Sequence, residues 1–355
     1  MKIRCTRIKT SLHFSLPSAS LWLHLVLLQA ILFLVPLTAY AEKQSGDSVT
    51  TKVKVEHVAY RGFTDAVRIS NGSVEAIVVP SIGGRLMRFA TIGGENVLWE
   101  NPTVPISQAG QSGNWGGEKS WPWPQDDWTD RTGQGWPPPP ASDQYAYQCQ
   151  IEPDGVKLTS QTLAGYDLQI VREFKMSPAG AELIQNISFA ATGPAAAQTP
   201  AGVWSIAEVP VTKNIFVRQT AGTFRALGFS AWPTPGKSIA GILVLDRPAD
   251  HKSKIGLDAD LIAVAIRNQL LSIELRDVSP PAAGYVAGER AQLYTEPDSS
   301  PEVAGLGGFT ELEFTSPTGI VSTQPVRMTT VWKLEPLTQA DDPAAIARKL
   351  STKPK

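Results

Sequence analysis

Histidine and cysteine are scarce in this chain, with four and two respectively among 355 residues. The first 41 residues read as an export signal, and beyond them only His57, His251 and Cys149 remain. A lone cysteine excludes an internal disulfide, so stability must come from a hydrophobic core, for which about 314 residues are ample. Two histidines without a neighbouring motif give no support to a Ser-His-Asp hydrolase or a multi-histidine metal site. A cysteine nucleophile needs a histidine or a positive environment beside it, and nothing places one near Cys149. That residue is expected to pack as a small apolar side chain. The formal net charge is −1 and no basic stripe occurs, which argues against nucleic acid as a partner. The glycine pairs lack the lysine and helix of a phosphate loop, and no cofactor is implied. Absence of βαβ alternation and of a fixed-period repeat excludes the doubly wound and solenoid classes.

What is present begins with the export signal. Lys2, Arg4, Arg7 and Lys9 form a basic start, Leu21 to Leu37 an apolar run of 17 residues, and Ala39-Tyr40-Ala41 a small-x-small cleavage site before Glu42. The polar stretch that follows favours cleavage and a periplasmic or secreted protein. A membrane enters only if the signal stays uncleaved.

Residues 42–52 form a polar leader. From 53 to 338 the grammar is β: alternating or β-branched runs broken by Gly, Pro, Asn and Asp. Asn71-Gly72 between DAVRIS and SVEAIVVP predicts a type I′ hairpin, whose two central residues both need positive φ. The closing segment 339–355 holds the one good helix pattern, DDPAAIARKL, with Asp341 or Asp342 as its cap. A large antiparallel β-sandwich with a short C-terminal helix follows.

Five of the ten tryptophans fall in Ser112–Pro140: Trp115, Trp121, Trp123, Trp128 and Trp136. No helical or alternating period fits this stretch, so it is expected to be a long structured loop. Its indoles either pack the loop internally or stack on pyranose rings while the interspersed charges bond hydroxyls. Trp121 and Trp123, spaced by Pro122 and Pro124, are the pair expected to meet a ligand. Asp126, Asp127 and Asp130 lack EF-hand spacing, and no metal is expected. Glu311 and Glu313 in FTELEFTSP project to one face of a strand, where two adjacent carboxylates raise one pKa and can act as acid and base.

In order along the chain, VVPSIGGRLMRF with NVLWENP, NWGGEKSWPWPQ with GWPPPP, and GFTELEFTSP with TTVWKL resemble an uncharacterised family of the galactose-mutarotase-like superfamily, over roughly residues 65–335. The resemblance implies a single β-supersandwich of antiparallel sheets whose concave face binds sugars. It also implies that Glu313, or Glu311 beside it, matches the late-strand glutamate that serves as base, and that Arg85 lines the same site. The histidine pair of aldose mutarotases has no counterpart here, so Lys119, Asp126, Asp127 or Tyr145 would have to stand in. The expected function is an exported carbohydrate-binding protein, with sugar held by Arg85, Trp115, Glu118, Lys119, Trp121, Trp123, Asp126 and Asp127. One alternative is a sugar epimerase, isomerase or lyase using Glu311 or Glu313; another is a non-catalytic structural or protein-interaction module.

Overall fold

The computed structural model describes residues 52–198, 200–232, 236–281, 284–338 and 341–352. The expected export signal and residues 42–51 of the leader lie outside them. Among the described residues, no helix is long and apolar enough to cross a membrane.

The alternating runs of the sequence become strands, and every strand pairing among the described residues is antiparallel. The predicted hairpin forms between Phe63–Ser70 and Val74–Val79. Its turn differs from expectation, because Gly72 has φ +85° while Asn71 is not in the left-handed region. Asn71 Oδ1 instead accepts from the backbone N–H groups of Ser73 and Val74 at 2.9 and 3.1 Å. This is an Asx turn, which needs only one positive φ.

The strand pairing is continuous, and it folds into two sheets that share one strand. The first runs through Arg85–Thr91, Glu118–Trp123, Pro200–Pro210, Phe309–Thr315 and Ala291–Glu296 to the first half of Ser253–Ile266. The second continues from the other half of that strand through Gln269–Ser279, Arg327–Pro336, Glu182–Ala191, Leu168–Met176 and Gly155–Thr159 to the edge strand Gln148–Glu152. The main core draws Val203, Ala207 and Leu312 from the first sheet and Leu183, Ile187 and Trp332 from the second. Phe89 meets Trp332 edge-on at 6.2 Å, joining the two.

The C-terminal helix is Pro343–Ser351. Asp342 is its cap, accepting from Ala345 N at 2.7 Å, whereas Asp341 takes the Thr338 N–H. Ile346, Ala347 and Leu350 bury against Phe216, Leu261 and Ala263.

Two further expectations are corrected. Ser112–Pro140 is not one loop, since it contains the strand Glu118–Trp123 and the short helix Trp128–Thr132. Cys149 is exposed, because its strand is a sheet edge paired on one side only, by Gly155–Thr159.

Candidate functional site

Alternation along the Glu118–Trp123 strand sends Lys119, Trp121 and Trp123 to one side and Glu118 and Ser120 to the other. Register carries the first side across the sheet. Glu208 stands opposite Glu311, Glu311 opposite Tyr294, and Tyr294 opposite Lys254. In the next row Lys119 faces Ile206, which faces Glu313. These rows form the floor of a cavity of about 560 Å³.

Like charges directly opposite destabilise a sheet, so the Glu208–Glu311 pair needs a counter-charge. Lys119 Nζ supplies it, donating to Glu208 Oε1 and, at 3.1 Å, to Glu311 Oε1. Burial lowers the affinity of this amine for its proton, but the two carboxylates outweigh burial and hold its pKa above the ordinary lysine value. Lys254 Nζ donates to Glu313 Oε2 at 3.1 Å, and Trp204 Nε1 donates to the same oxygen at 2.7 Å.

Three carboxylates thus share two lysines. Burial raises Glu208 to about 7 and the charge of Glu311 adds to this, against the pull of Lys119. Burial likewise raises Glu313 to about 7, against the pull of Lys254. Glu208 Oε2 and Glu313 Oε1 are both buried without a hydrogen-bond partner. Burial thus favours the protonated form of both carboxyl groups, and each keeps one oxygen without a partner.

The wall is fixed by a second charged group. Arg85 Nη2 donates to Asp143 Oδ1 at 2.6 Å, and Trp121 Nε1 donates to that same oxygen at 2.8 Å. Gly83, at φ +74°, makes this possible: a Cβ there would meet the Asp143 carbonyl oxygen at 2.4 Å. Only glycine combines that backbone conformation with so close an approach.

Around Trp121 the indoles pack on one another. Trp204, Trp128 and Trp136 lie 5.4, 5.7 and 5.8 Å from it, ring to ring. Trp128 is fully buried and anchors the group, donating to Pro122 O at 3.0 Å. Trp136, stacked on Trp128 at 6.4 Å, remains 63% exposed and lines the cavity. Phe229, 67% exposed, lines it as well.

Among the sequence-derived candidates, the structure brings Arg85, Lys119, Trp121 and Glu311 together in the cavity lining, with Glu313 buried beneath it. The others lie elsewhere. Glu118 points into the core, where Arg172 Nη2 and Ser205 Oγ donate to it. Trp115 is buried in a separate cluster, edge-on to Phe63 at 5.5 Å. Trp123 packs against Trp204 at 5.4 Å and does not line the cavity. Asp126 and Asp127 precede the Trp128–Thr132 helix, where Asp127 pairs with Arg131 at 3.5 Å. Tyr145 is 40% exposed outside the cavity, His57 is exposed, and His251 is held between Asp250 and the Ala231 carbonyl. Among the described residues, no group of three His, Cys, Asp or Glu is arranged to hold a metal ion.

Sequence reasoning missed Glu208, Lys254, Asp143 and Trp204. Glu208 carried a signal, as the single charge in the mostly apolar run VWSIAEVP. Lys254 was hidden because RPADHKSK reads as a polar loop, although the strand starts at Ser253.

No family model matches the sequence. No curated protein matches it either. Solved structures do share its chain path. A TPR-domain containing protein from Parabacteroides distasonis is similar at 14% identity and TM-score 0.50, over 79% of this chain and 49% of its own length. This chain therefore spans about half of that protein. A galactose mutarotase related enzyme from Lactobacillus acidophilus is similar at 7% identity and TM-score 0.49, over 77% of this chain and 98% of its own. A galactose mutarotase-like protein from Clostridium acetobutylicum follows at 10% identity and TM-score 0.46, over 81% and 99%. At these identities the likeness is one of fold.

Proposed function

We propose that this protein binds carbohydrate in the cavity on the first sheet. The observation that carries the reading is the pairing of an exposed indole, Trp136, at the cavity lining with a floor of buried carboxylates and lysines. An aromatic face suits the apolar side of a pyranose, and convergent polar groups suit its hydroxyls. The sequence resemblance to galactose-mutarotase-like proteins supports the same reading. Its test is tryptophan fluorescence titrated with a panel of neutral saccharides. Saturable quenching that is lost in Trp136→Ala is the expected result; no response to any saccharide would remove the reading.

A second reading, catalysis, is favoured by one observation: Glu208 and Glu313 each keep a buried carboxylate oxygen without a partner. Such groups can exchange protons with a sugar, as epimerisation or lysis requires. Exchange spectroscopy on a bound sugar tests it, with turnover lost and binding kept in Glu313→Gln. The proposal includes export, supported by the signal pattern of residues 1–41. A mature N-terminus at Glu42 in secreted or periplasmic material is the expected result.

A further inference from the structure

Several buried carboxyl oxygens at the cavity have no hydrogen-bond partner. Its cations are each paired with a carboxylate: Lys119 with Glu208 and Glu311, Lys254 with Glu313, and Arg85 Nη2 with Asp143. Lys252 Nζ lies 3.2 Å from Glu296 and 3.7 Å from Glu302. Among its acceptors, Glu208 Oε2 in the lining and Glu313 Oε1 beneath it are buried and unpartnered. Arg85 Nε is the contrary case, a buried donor with no partner. One N–H cannot clamp a carboxylate in the bidentate manner that makes arginine an anion receptor.

Charge points the same way. Counting Glu313 beneath the floor, six carboxylates (Asp143, Glu208, Glu296, Glu302, Glu311 and Glu313) face four cations (Arg85, Lys119, Lys252 and Lys254). Tyr294, beside them, donates to Glu296 and adds no positive charge. The aromatic walls also suit a cation. Lys254 Nζ already sits 4.6 Å from the Trp204 ring centroid and Lys119 Nζ 5.1 Å from that of Trp121, while the face of Trp136 is open.

We infer that the cavity selects saccharides carrying a free amine over their neutral parents and discriminates against uronic acids. This rests on the saccharide-binding reading above. The ammonium of an amino sugar brings donors and positive charge to a site with spare acceptors and an excess of acid. A uronate brings acceptors and negative charge to the same place.

The test is titration of the full chain at pH 7, by tryptophan fluorescence and calorimetry, with glucose, glucosamine, N-acetylglucosamine and glucuronate, and with the galactose counterparts. The free amine is expected to bind about tenfold tighter than the neutral parent, the scale of one charge-assisted hydrogen bond. N-acetylation should abolish that advantage, and glucuronate should bind most weakly. Glu311→Gln, at a partly exposed position that tolerates substitution better than Glu208, should narrow the ratio severalfold. A neutral parent or uronate that binds as tightly as the amino sugar overturns the selectivity and leaves the saccharide site standing. If no saccharide of any class binds, both fall together.

Discussion

Glu118 and Lys119 are adjacent on one strand, and each is buried in an ion pair on a different face of the sheet. Inward, Glu118 receives Arg172 and Ser205, and Arg172 also donates to Gly84 O at 2.6 Å. Both oxygens of that glutamate are used. Outward, Lys119 holds Glu208 and Glu311, and Glu208 Oε2 is left over. The inward pair leaves no carboxylate oxygen over, only Arg172 Nε, and ties two sheets together; the outward one leaves a carboxylate oxygen and faces a cavity. Burial alone does not separate them, since both are nearly inaccessible. The count of unsatisfied acceptors does.

The comparison is broken most sharply by removing a partner on each side. Arg172→Met leaves Glu118 charged and buried in the core, and should lower stability by about 3–5 kcal/mol in urea unfolding. A loss below about 1 kcal/mol would show that the inward pair is not structural. Lys119→Met should lose less, about 1–3 kcal/mol, because the carboxylates it leaves lie beside a cavity and can take up protons. The same unfolding assay should then show its deficit shrinking at acid pH.

Acidity sharpens the contrast further. Glu208 and Glu313 are raised in the folded state to about 7, above the ordinary carboxylate value of 4.5. The folded protein therefore binds more protons than the unfolded chain between those limits. Their contribution favours folding below about 4.5 and is lost as pH rises to about 7. Wild type should gain stability relative to Glu208→Gln on going from pH 7 to pH 5, by an amount on the order of 1–3 kcal/mol. An unchanged difference would place the Glu208 carboxyl in the ordinary range. The smallest expected effect on stability is that of Trp136→Ala. Its exposed ring should leave the unfolding midpoint nearly unchanged while weakening saccharide binding about tenfold, read from calorimetric titration.

Alternation in FTELEFTSP was enough to put Glu311 and Glu313 on one face, because period is a short-range property, whereas Arg85 was marked by the family resemblance alone. Which face of a strand meets a cavity is not local. Glu118 and Lys119 alternate correctly, yet only pairing with Pro200–Pro210 decides that the lysine side is the open one. The same limit explains the tryptophans. Composition marks Ser112–Pro140 as special, but exposure of Trp136 and burial of Trp115 follow from Trp128 and Phe63, partners that no spacing rule reveals. Glu208 needed a different question, why a single carboxylate stands inside a mostly apolar run.

The span of the contacts in the cavity floor has a kinetic consequence. Lys119 and Glu311 are 192 positions apart in the chain, and Trp204 and Glu313 are 109 apart. Closing loops of that length is slow compared with forming the local hairpins. The contacts of Trp121 with Trp128 and Trp136 can assemble from neighbouring sequence, whereas the floor waits for the Phe309–Thr315 strand to dock. Recovery of ligand affinity after dilution from denaturant should therefore lag behind recovery of indole packing, and the interval between the two signals would time the arrival of that last strand.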